Sequence, residues 1–325
     1  MESVKGLRKF FNQKTVSMLV IAALVLVVFN ILSGGVFLRI SNIRTILNLM
    51  SVTGFLTLGV GCLIVSGKID LSTGATGTLC GILMAIFLQA GLPWPVSVVI
   101  CLVVGMLVGA FTATFVNVFN IPPFIATMSV ATMMNGLAFV ICDGKSVPMR
   151  DEFLKMVGSK RILEHIPIIF LVMLVFFIIY GLMLSKTKFG RSIYLVGGNQ
   201  QAARLTGINP VRISYILFMN SGMLSSLGGM MLAARLNSGT TNGTTPSQFA
   251  GIMAAMLGGM SFGGGSGSFA GVFIGLLIIN AFNNGLMVIG VLPYWQTFAS
   301  GLLLLFALVL DYINGRRIKR RVALG

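Results

Sequence analysis

Long apolar runs separated by short polar flanks make up almost the whole chain. Each run holds fifteen or more mostly apolar residues, and a helix of about twenty such residues is long enough to cross the hydrocarbon core of a bilayer. This pattern predicts an all-α integral membrane protein, a polytopic helical bundle of about ten transmembrane helices. The eighth run is short for a complete crossing. The predicted spans are residues 15–33, 46–66, 71–90, 95–119, 124–142, 168–184, 213–234, 246–260, 269–289 and 293–313.

Charged residues are rare and mostly basic. The 325-residue chain is 56% hydrophobic and 9% charged, with a net charge of +16, whereas soluble domains carry about 25% charged residues. The basic residues lie in short flanks between apolar runs rather than along one face. This distribution is typical of membrane topology and argues against nucleic-acid binding.

The positions of lysine and arginine predict the orientation of the chain. Fifteen of the 23 fall on one side of the membrane if both termini are cytoplasmic, as the excess of positive charge on the inner side requires. The chain then divides into a basic N-terminus over residues 1–14, a transmembrane domain over 15–313 and a basic tail over 314–325. The first apolar run is long enough to be a retained span rather than a cleaved signal.

The two longest polar segments face opposite sides in this topology. Residues 143–167 form the extracytoplasmic loop, in which 151–157 and 161–166 are predicted to be helical. His165 is the only histidine of the chain and has no cysteine or carboxylate at ligand spacing, so we expect an exposed residue and no metal site. The central loop, residues 186–212, is cytoplasmic and carries five basic and no acidic residues.

A short helix is predicted in the middle of the central loop. Asn199 is a good N-cap, residues 200–206 allow two helical turns, and Gly207 followed by Pro210 ends them. Such a helix is about 10 Å long and cannot span a bilayer. The pattern by itself fits a solvated connector as well as a rigid projection for a soluble partner.

Two glycine-rich segments, residues 67–75 and 257–267, interrupt the helical pattern. Irregular backbone near membrane depth is tolerated only where protein buries it or where it lines a wet cavity. The segments are therefore either hinges beside a transport pathway or plain turns between spans. The predicted hinge residues are Gly67, Asp70, Ser72, Gly74, Gly258, Gly259, Gly264 and Gly265.

Other glycines stand in pairs four residues apart, a spacing that lets two helices approach closely. These pairs predict a compact bundle. They are Gly77 with Gly81, Gly105 with Gly109, and Gly271 with Gly275.

The predicted spans carry uncharged polar residues, and no charged residue stands near the middle of a span. This argues against an ion-coupled carrier and a membrane hydrolase, and we assign no catalytic residue. Amides both donate and accept hydrogen bonds, so they suit a neutral, hydroxyl-rich solute; bonding between helices is the structural alternative. The predicted pathway residues are Asn135, Asn220, Asn280, Asn283 and Asn284, of which the last three share one helix face.

Four motifs in sequence order resemble those of the ribose-type sugar ABC transporter permeases. The resemblance covers about residues 37–313. The first two motifs are GKIDLSTG at 67–74 and PFIAT at 123–127. The third, in the central loop, consists of GR at 190–191 with Tyr194, GGN at 197–199 and AARLTGI at 202–208. The fourth is LGGMSFGGGSG at 257–267.

The resemblance implies a binding-protein-dependent importer in the bacterial inner membrane, with this chain as its permease subunit. The implied partners are a second permease subunit, identical or paralogous, a cytoplasmic ATPase that holds ATP and magnesium, an extracytoplasmic sugar-binding protein and a small sugar. The chain itself would hold no cofactor. The residues implied to dock on the ATPase are Asn199, Gln200, Gln201, Ala202, Ala203, Arg204, Leu205, Gly207 and Ile208.

The chain departs from the family pattern at four positions. Lys68 stands where the family has a second glycine, and Asn135 where relatives often carry arginine; both bear on the solute. Gln200 and Gln201 replace common glutamates and remove negative charge from the docking helix. From the residues alone, an ATP-independent channel or facilitator and an ion-coupled carrier for a neutral polar solute remain alternatives.

Overall fold

The computed structural model describes residues 13–162, 165–303, 305–306 and 309. Most of the predicted N-terminal region and the basic tail lie outside these residues. The helices are α1 (Gln13–Leu32), α2 (Ile40–Val65), α3 (Thr73–Gln89), α4 (Trp94–Asn117), α5 (Pro123–Ile141), α6 (Glu152–Ser159), α7 (Ile168–Lys186), α8 (Lys188–Gly198), α9 (Gln200–Leu205), α10 (Pro210–Leu236), α11 (Ser247–Leu257), α12 (Phe269–Val288) and α13 (residues 293–303).

Six of the described helices are long and apolar enough to cross a membrane by length and composition: α2, α4, α5, α7, α10 and α12. The described apolar parts of α1, α3 and α11 are shorter. Each of the ten predicted spans overlaps a helix, and the all-α membrane class is confirmed. The number of crossings and the side on which the termini lie remain predictions.

Helices α2 and α10 form the centre of the bundle. In the most apolar stretch of α2, 89% of the residues are buried, whereas the corresponding value for α7 is 22%. Helix α10 packs against α2, α3 and α4, and α11 packs between α2 and α12. Helix α7 is more apolar than α2 and can face lipid, whereas α2 carries the small polar residues Ser51, Thr53 and Thr57, which are buried against neighbouring helices.

Glycine pairs bring the central helices into backbone contact, as their spacing predicts. Gly77 and Gly81 of α3 face Gly229 of α10, and the pair on α4 faces the segment from Phe218 to Gly222 of α10. The pair on α12 meets the end of α11. Since these contacts are made by backbone atoms, the packing leaves no room for larger side chains.

Two short antiparallel strand pairs lie among the connections between helices. Strand β1 (Val147–Pro148) pairs with β4 (Ser238–Gly239), and β2 (Arg161–Ile162) pairs with β3 (Ile166–Pro167). The predicted helix after residue 150 is α6. The prediction of helix over 161–166 is wrong, because the described part of that stretch consists of the paired strands β2 and β3; residues 163–164 lie outside the described part.

Two side-chain contacts stabilise the loop of residues 143–167. Asp151 caps α6 by accepting a hydrogen bond from the Leu154 amide at 2.8 Å. His165 is exposed, as expected, and its Nδ1 lies 2.8 Å from Nη2 of Arg44 at the start of α2. The loop of residues 143–167 is thereby attached to the central helix α2.

We predict that Gly222→Ala destabilises the bundle while Gly136→Ala does not. A Cβ on Gly222 would overlap the backbone of α4 at Gly105, whereas a Cβ on Gly136 meets no heavy atom within 4 Å. Overpacking of this kind costs about 1–3 kcal/mol, and Gly→Ala in an open helix is favourable by about 0.5–1 kcal/mol. Thermal unfolding in detergent measures both; equal melting temperatures would contradict the proposed close contact.

Candidate functional site

The central loop folds into two consecutive helices rather than one. Thr187 caps α8 by accepting a hydrogen bond from the Gly190 amide at 3.0 Å. Asn199 then caps α9, accepting from the amides of Gln201 and Ala202 at 2.9 and 3.0 Å. The predicted N-cap and short helix are confirmed. Helix α8 was missed, although the apolar residues on its inner face recur every three positions, which is a helical signal.

Gly207 ends α9 in the left-handed region, with φ of +81°. Glycine occupies this region without steric cost, and it is the usual residue just after a helix end. Two residues later, Asn209 accepts hydrogen bonds from the amides of Val211 and Arg212 and so starts α10. The central loop therefore passes directly into the central helix of the bundle.

The surface of α9 is divided between an anchor and an exposed face. Ala203 is 1% exposed and packs in the main core, whereas Leu205 is 90% exposed. Gln200, Gln201 and Arg204 are also exposed. A partner can therefore reach most of the predicted docking set but not the Ala203 side chain, and Leu205 offers it an apolar contact.

The two predicted glycine-rich segments are non-helical over residues 67–72 and 258–267, and they meet each other at α8. We define the glycine junction as Gly67, Gly197, Gly264 and Gly265. The amide of Gly265 donates to the Val65 carbonyl at 2.8 Å. A Cβ on Gly264 would lie 2.8 Å from both the Gly67 amide nitrogen and the Gly197 carbonyl oxygen. The two helix breaks and the central loop are thus in backbone contact.

Tyr194 adds a side-chain link to the same region. Its hydroxyl donates to the Gly267 carbonyl at 2.6 Å. Burial raises the pKa of the Tyr194 phenol above its ordinary value, so the hydroxyl stays protonated and able to donate at neutral pH. Tyr194 therefore ties α8 to the second break, the non-helical residues 258–268.

The first break, residues 66–72, reaches into the bundle. Asp70 is 1% exposed, and it accepts hydrogen bonds from the amide and hydroxyl of Ser72 at 2.8 and 2.6 Å and from the Ser221 hydroxyl at 2.7 Å. Ser221 lies near the middle of α10. The sequence pattern places Asp70 at the end of a span, whereas in the structure its carboxylate contacts the middle of a neighbouring helix.

Lys68 connects the same break to two further helices. Its Nζ donates to Asn117 Oδ1 at 3.0 Å and to the Ser214 hydroxyl. Asn117 is the last residue of α4, and Ser214 lies in the second turn of α10.

Of the predicted hinge residues, Gly74 lies within the first turn of α3 rather than in the break itself.

The three asparagines of α12 have different surroundings although they share a face. Asn280 Oδ1 accepts from Thr53 of α2 at 3.3 Å, and Asn283 Oδ1 accepts from Ser300 of α13 at 3.1 Å. Asn284 is 1% exposed, and neither atom of its amide has a partner among the described residues. Asn280 and Asn283 thus make contacts between helices, and Asn284 is left with unused hydrogen-bonding capacity.

The two remaining asparagines of the predicted pathway lie on different helices and have different surroundings. Asn220 accepts a hydrogen bond from the Tyr180 hydroxyl beside a mainly apolar cavity of about 270 Å³. Asn135 accepts from the Thr245 hydroxyl at 3.1 Å. The pathway assignment of all five asparagines remains a prediction.

In the described part of the chain, no group of three or more His, Cys, Asp or Glu side chains could hold a metal.

A third non-helical segment lies where the sequence predicts a connection between two spans, but its position against α3 was not predicted. We define the threonine segment as residues 240–246, TTNGTTP, between β4 and α11. It lies beside the first half of α3, where the Thr244 amide donates to the Thr78 hydroxyl at 3.0 Å and the Thr244 hydroxyl donates to the Gly74 carbonyl at 2.7 Å. The run of threonines directly before Pro246 is the signal that could have identified it.

Comparisons with known proteins agree with the motifs. The family model described as "Branched-chain amino acid transport system / permease component" matches residues 42–308. Similar proteins include the probable ABC transporter permease protein YphD of Escherichia coli K12, 31% identical over 96% of this chain and 94% of that protein. The ribose import permease protein RbsC of Bacillus subtilis 168 is 33% identical over 85% and 86%, and the xylose transport system permease protein XylH of Haemophilus influenzae is 28% identical over 95% and 99%. No solved structure matches the chain significantly.

The glycine junction can be tested with two adjacent residues. A Cβ on Gly197 would overlap the Val65 carbonyl and lie 2.6 Å from the Gly265 nitrogen, whereas a Cβ on Gly198 meets no heavy atom within 4 Å. We expect Gly197→Ala to lower the stability by about 1–3 kcal/mol and to separate α8 from the breaks.

Gly198→Ala is the matched control and should leave stability unchanged or slightly raised. Thermal melting gives the stability, and hydrogen exchange of residues 64–67 and 262–268 reports whether the junction has opened. Equal protection of these residues in both variants would show that the contact at Gly197 is not needed.

Proposed function

The chain belongs to the ABC-transporter permease family that includes the ribose and xylose import permeases, and we propose that it forms the transport pathway of an importer driven by a separate ATPase. The proposed cargo is a small, neutral, hydroxyl-rich solute, with pentose sugars as the candidate class. ATP and magnesium are proposed to bind to the partner subunit. The chain is a multi-pass membrane protein, and we place it in the bacterial cytoplasmic membrane.

The observation that carries this proposal is the connection from an exposed helix to the interior of the bundle. Leu205 projects from α9, while Ala203 holds the same helix against the core. An exposed leucine flanked by polar and basic side chains suits a cleft on a soluble partner, because removing its apolar side chain from water is favourable. We propose that the ATPase receives α9 at this point.

Movement of α9 has two structural routes into the bundle. One runs through Asn209 into α10, which carries Ser221 and hence the hydrogen bond to Asp70. The other runs through α8 and Gly197 to the two helix breaks. A ligand shifts a conformational equilibrium only as far as its affinity differs between the two states. We propose that ATP-driven closure of the ATPase distinguishes two positions of α9 and thereby two states of the bundle.

The other proposed partners follow from the implied assembly. A second permease subunit, a copy of this chain or a paralogue, completes the pathway, and an extracytoplasmic binding protein delivers the solute to the side that carries the extracytoplasmic loop. Asp70 does not favour an ion-coupled carrier in spite of its interior position. Its two oxygens are occupied by Ser72 and Ser221 of the same chain, which is the arrangement of a structural carboxylate.

Purification of the full-length chain from its native membrane in a mild detergent tests the assignment. We expect a soluble ATPase to be retained in stoichiometric amount, and ATP-dependent import of D-ribose or D-xylose by proteoliposomes that also hold the binding protein. A partner-free preparation that moves these sugars without ATP would instead establish an uncoupled channel or facilitator.

We predict that Gly207→Val uncouples transport without unfolding the bundle. Valine is strongly disfavoured at a φ of +81°, whereas asparagine tolerates it, so Gly207→Asn is the control. We expect at least tenfold slower ATP-driven uptake and loss of the co-purified ATPase for the valine variant, with a near-normal melting temperature because residue 207 is exposed. Arg204→Glu, which reverses an exposed charge, should act similarly; normal uptake by both would contradict docking through α9.

A second prediction concerns Asn284. Because both of its amide atoms are buried without partners among the described residues, we expect Asn284→Leu to keep or raise thermal stability, by up to about 1–3 kcal/mol. If the amide contributes to the pathway, uptake falls nevertheless. Asn280→Leu is the comparison, because it removes the contact with Thr53 and should lower the melting temperature. Normal uptake by Asn284→Leu would assign this residue to packing.

A further inference from the structure

The threonine segment runs inside the bundle, antiparallel to the first half of α3. Just before it, in β4, a Cβ on Gly239 would lie 2.8 Å from both the Gly81 carbonyl oxygen and the Ile82 Cα. Further along, Thr244 bonds to Thr78 and to the Gly74 carbonyl. The segment therefore follows α3 back toward its first turn and does not pass over the ends of the helices.

One side of this segment is covered and the other is open. Thr244 is fully buried against α3, whereas Thr241 and Thr245 are half-buried and Asn242 is exposed. Non-helical backbone inside a membrane bundle must either be buried in protein or line a wet cavity. The mixture of buried and exposed positions fits a segment that forms one wall of a solvated path.

Hydroxyl and amide groups continue from this wall onto α5. Thr78 and Thr245 place their hydroxyl oxygens 3.1 Å apart, and Thr245 donates to Asn135 Oδ1, also at 3.1 Å. The amide nitrogen of Asn135 has no acceptor among the described residues and is available to a solute. None of these groups carries a charge.

Gln248, in the first turn of α11, adds a buried group with no partner. The residue is 7% exposed, and its Oε1 is buried without a hydrogen-bond donor in the described part of the chain. This oxygen lies over the start of α3, 2.9 Å from where a Cβ on Gly74 would be. A buried acceptor that stays unpaired destabilises a fold, so its presence needs a reason other than packing.

We propose that Asn135, Thr245 and Gln248 bind the hydroxyl groups of the transported solute. Side chains that donate and accept without charge recognise a neutral, polyhydroxylated molecule, and a site built for hydroxyls rejects analogues that lack them because its own polar groups then stay unpaired. The inference rests on the proposed function and deepens it, since it names the residues that select the solute.

A small cavity lies next to these residues, between α3, α10 and the threonine segment. It is lined by Thr78, Thr240 and Thr244 among others and measures about 10 Å³, which is the space of one water molecule. That cavity is too small for a sugar and is not lined by Asn135, Thr245 or Gln248, so the proposed contacts with the solute lie outside it.

The test uses the complete transporter, with ATPase and binding protein, in proteoliposomes supplied with ATP and radiolabelled D-ribose or D-xylose. We expect Gln248→Leu to have an unchanged or higher melting temperature but to import about tenfold more slowly, the factor that corresponds to one lost hydrogen bond. ATP hydrolysis should continue, so the amount of ATP consumed per sugar imported rises by the same factor.

Two comparisons separate solute contact from a structural role. Thr245→Val should import slowly and Thr245→Ser, which keeps the hydroxyl, should import normally. Gln296→Leu is the control for Gln248→Leu, because the Gln296 side-chain amide donates a hydrogen bond to the Val291 carbonyl at 2.6 Å. We expect Gln296→Leu to lower the melting temperature and to leave import per folded molecule normal.

The outcomes distinguish failure of the proposed solute contacts from failure of the proposed importer function. Normal import by Gln248→Leu and Thr245→Val would overturn the inference alone. A lower melting temperature for Gln248→Leu would also overturn it for that residue, because it would show that the carbonyl supports the fold. Failure of the wild-type complex to import either sugar with ATP would instead remove the proposed pentose cargo and the inference with it.

Discussion

Backbone polar groups at helix breaks inside an apolar bundle must form hydrogen bonds with protein or water, because lipid tails offer none. The described part of the chain contains three such breaks, residues 66–72, 240–246 and 258–268. Each is covered by a helix whose contact face is made of glycine or small polar residues, or by another break. The close approach of backbones accounts for many, though not all, of the 40 glycines among the 325 residues.

The same contacts that satisfy the breaks also connect them mechanically. The second glycine-rich segment bonds through the Gly265 amide to Val65, the last residue of α2, and it packs against Gly67 of the first segment and Gly197 of α8. Interfaces of this kind, packed backbone against backbone, resist gradual deformation, and they change by discrete rearrangement. We therefore expect a displacement of the central loop to be transmitted to the interior rather than absorbed by side-chain adjustment.

Buried polar groups in the bundle serve two separate purposes. Asp70 and Lys68 are engaged by partners on α10 and α4, so they hold the break in place. Gln248 and Asn284 have buried amide atoms without partners among the described residues, and the fold gains nothing from them as they stand. A pathway that binds a neutral solute only briefly needs hydrogen-bonding groups that are free in at least one state, which is the condition these two amides meet.

The sequence by itself determined the features that depend on neighbouring residues. Apolar run length predicted the helices, Asn199 and Gly207 predicted the limits of α9, and glycine spacing predicted which helix faces pack closely, because caps, turns and helical periodicity are decided within a few residues. Only the tertiary structure decided that Asp70 meets Ser221, that the two glycine-rich segments meet at α8, and that the threonine segment lies inside the bundle. These partners stand about seventy to two hundred residues apart, and no local propensity encodes their contact; it results from which helices bury their apolar faces together.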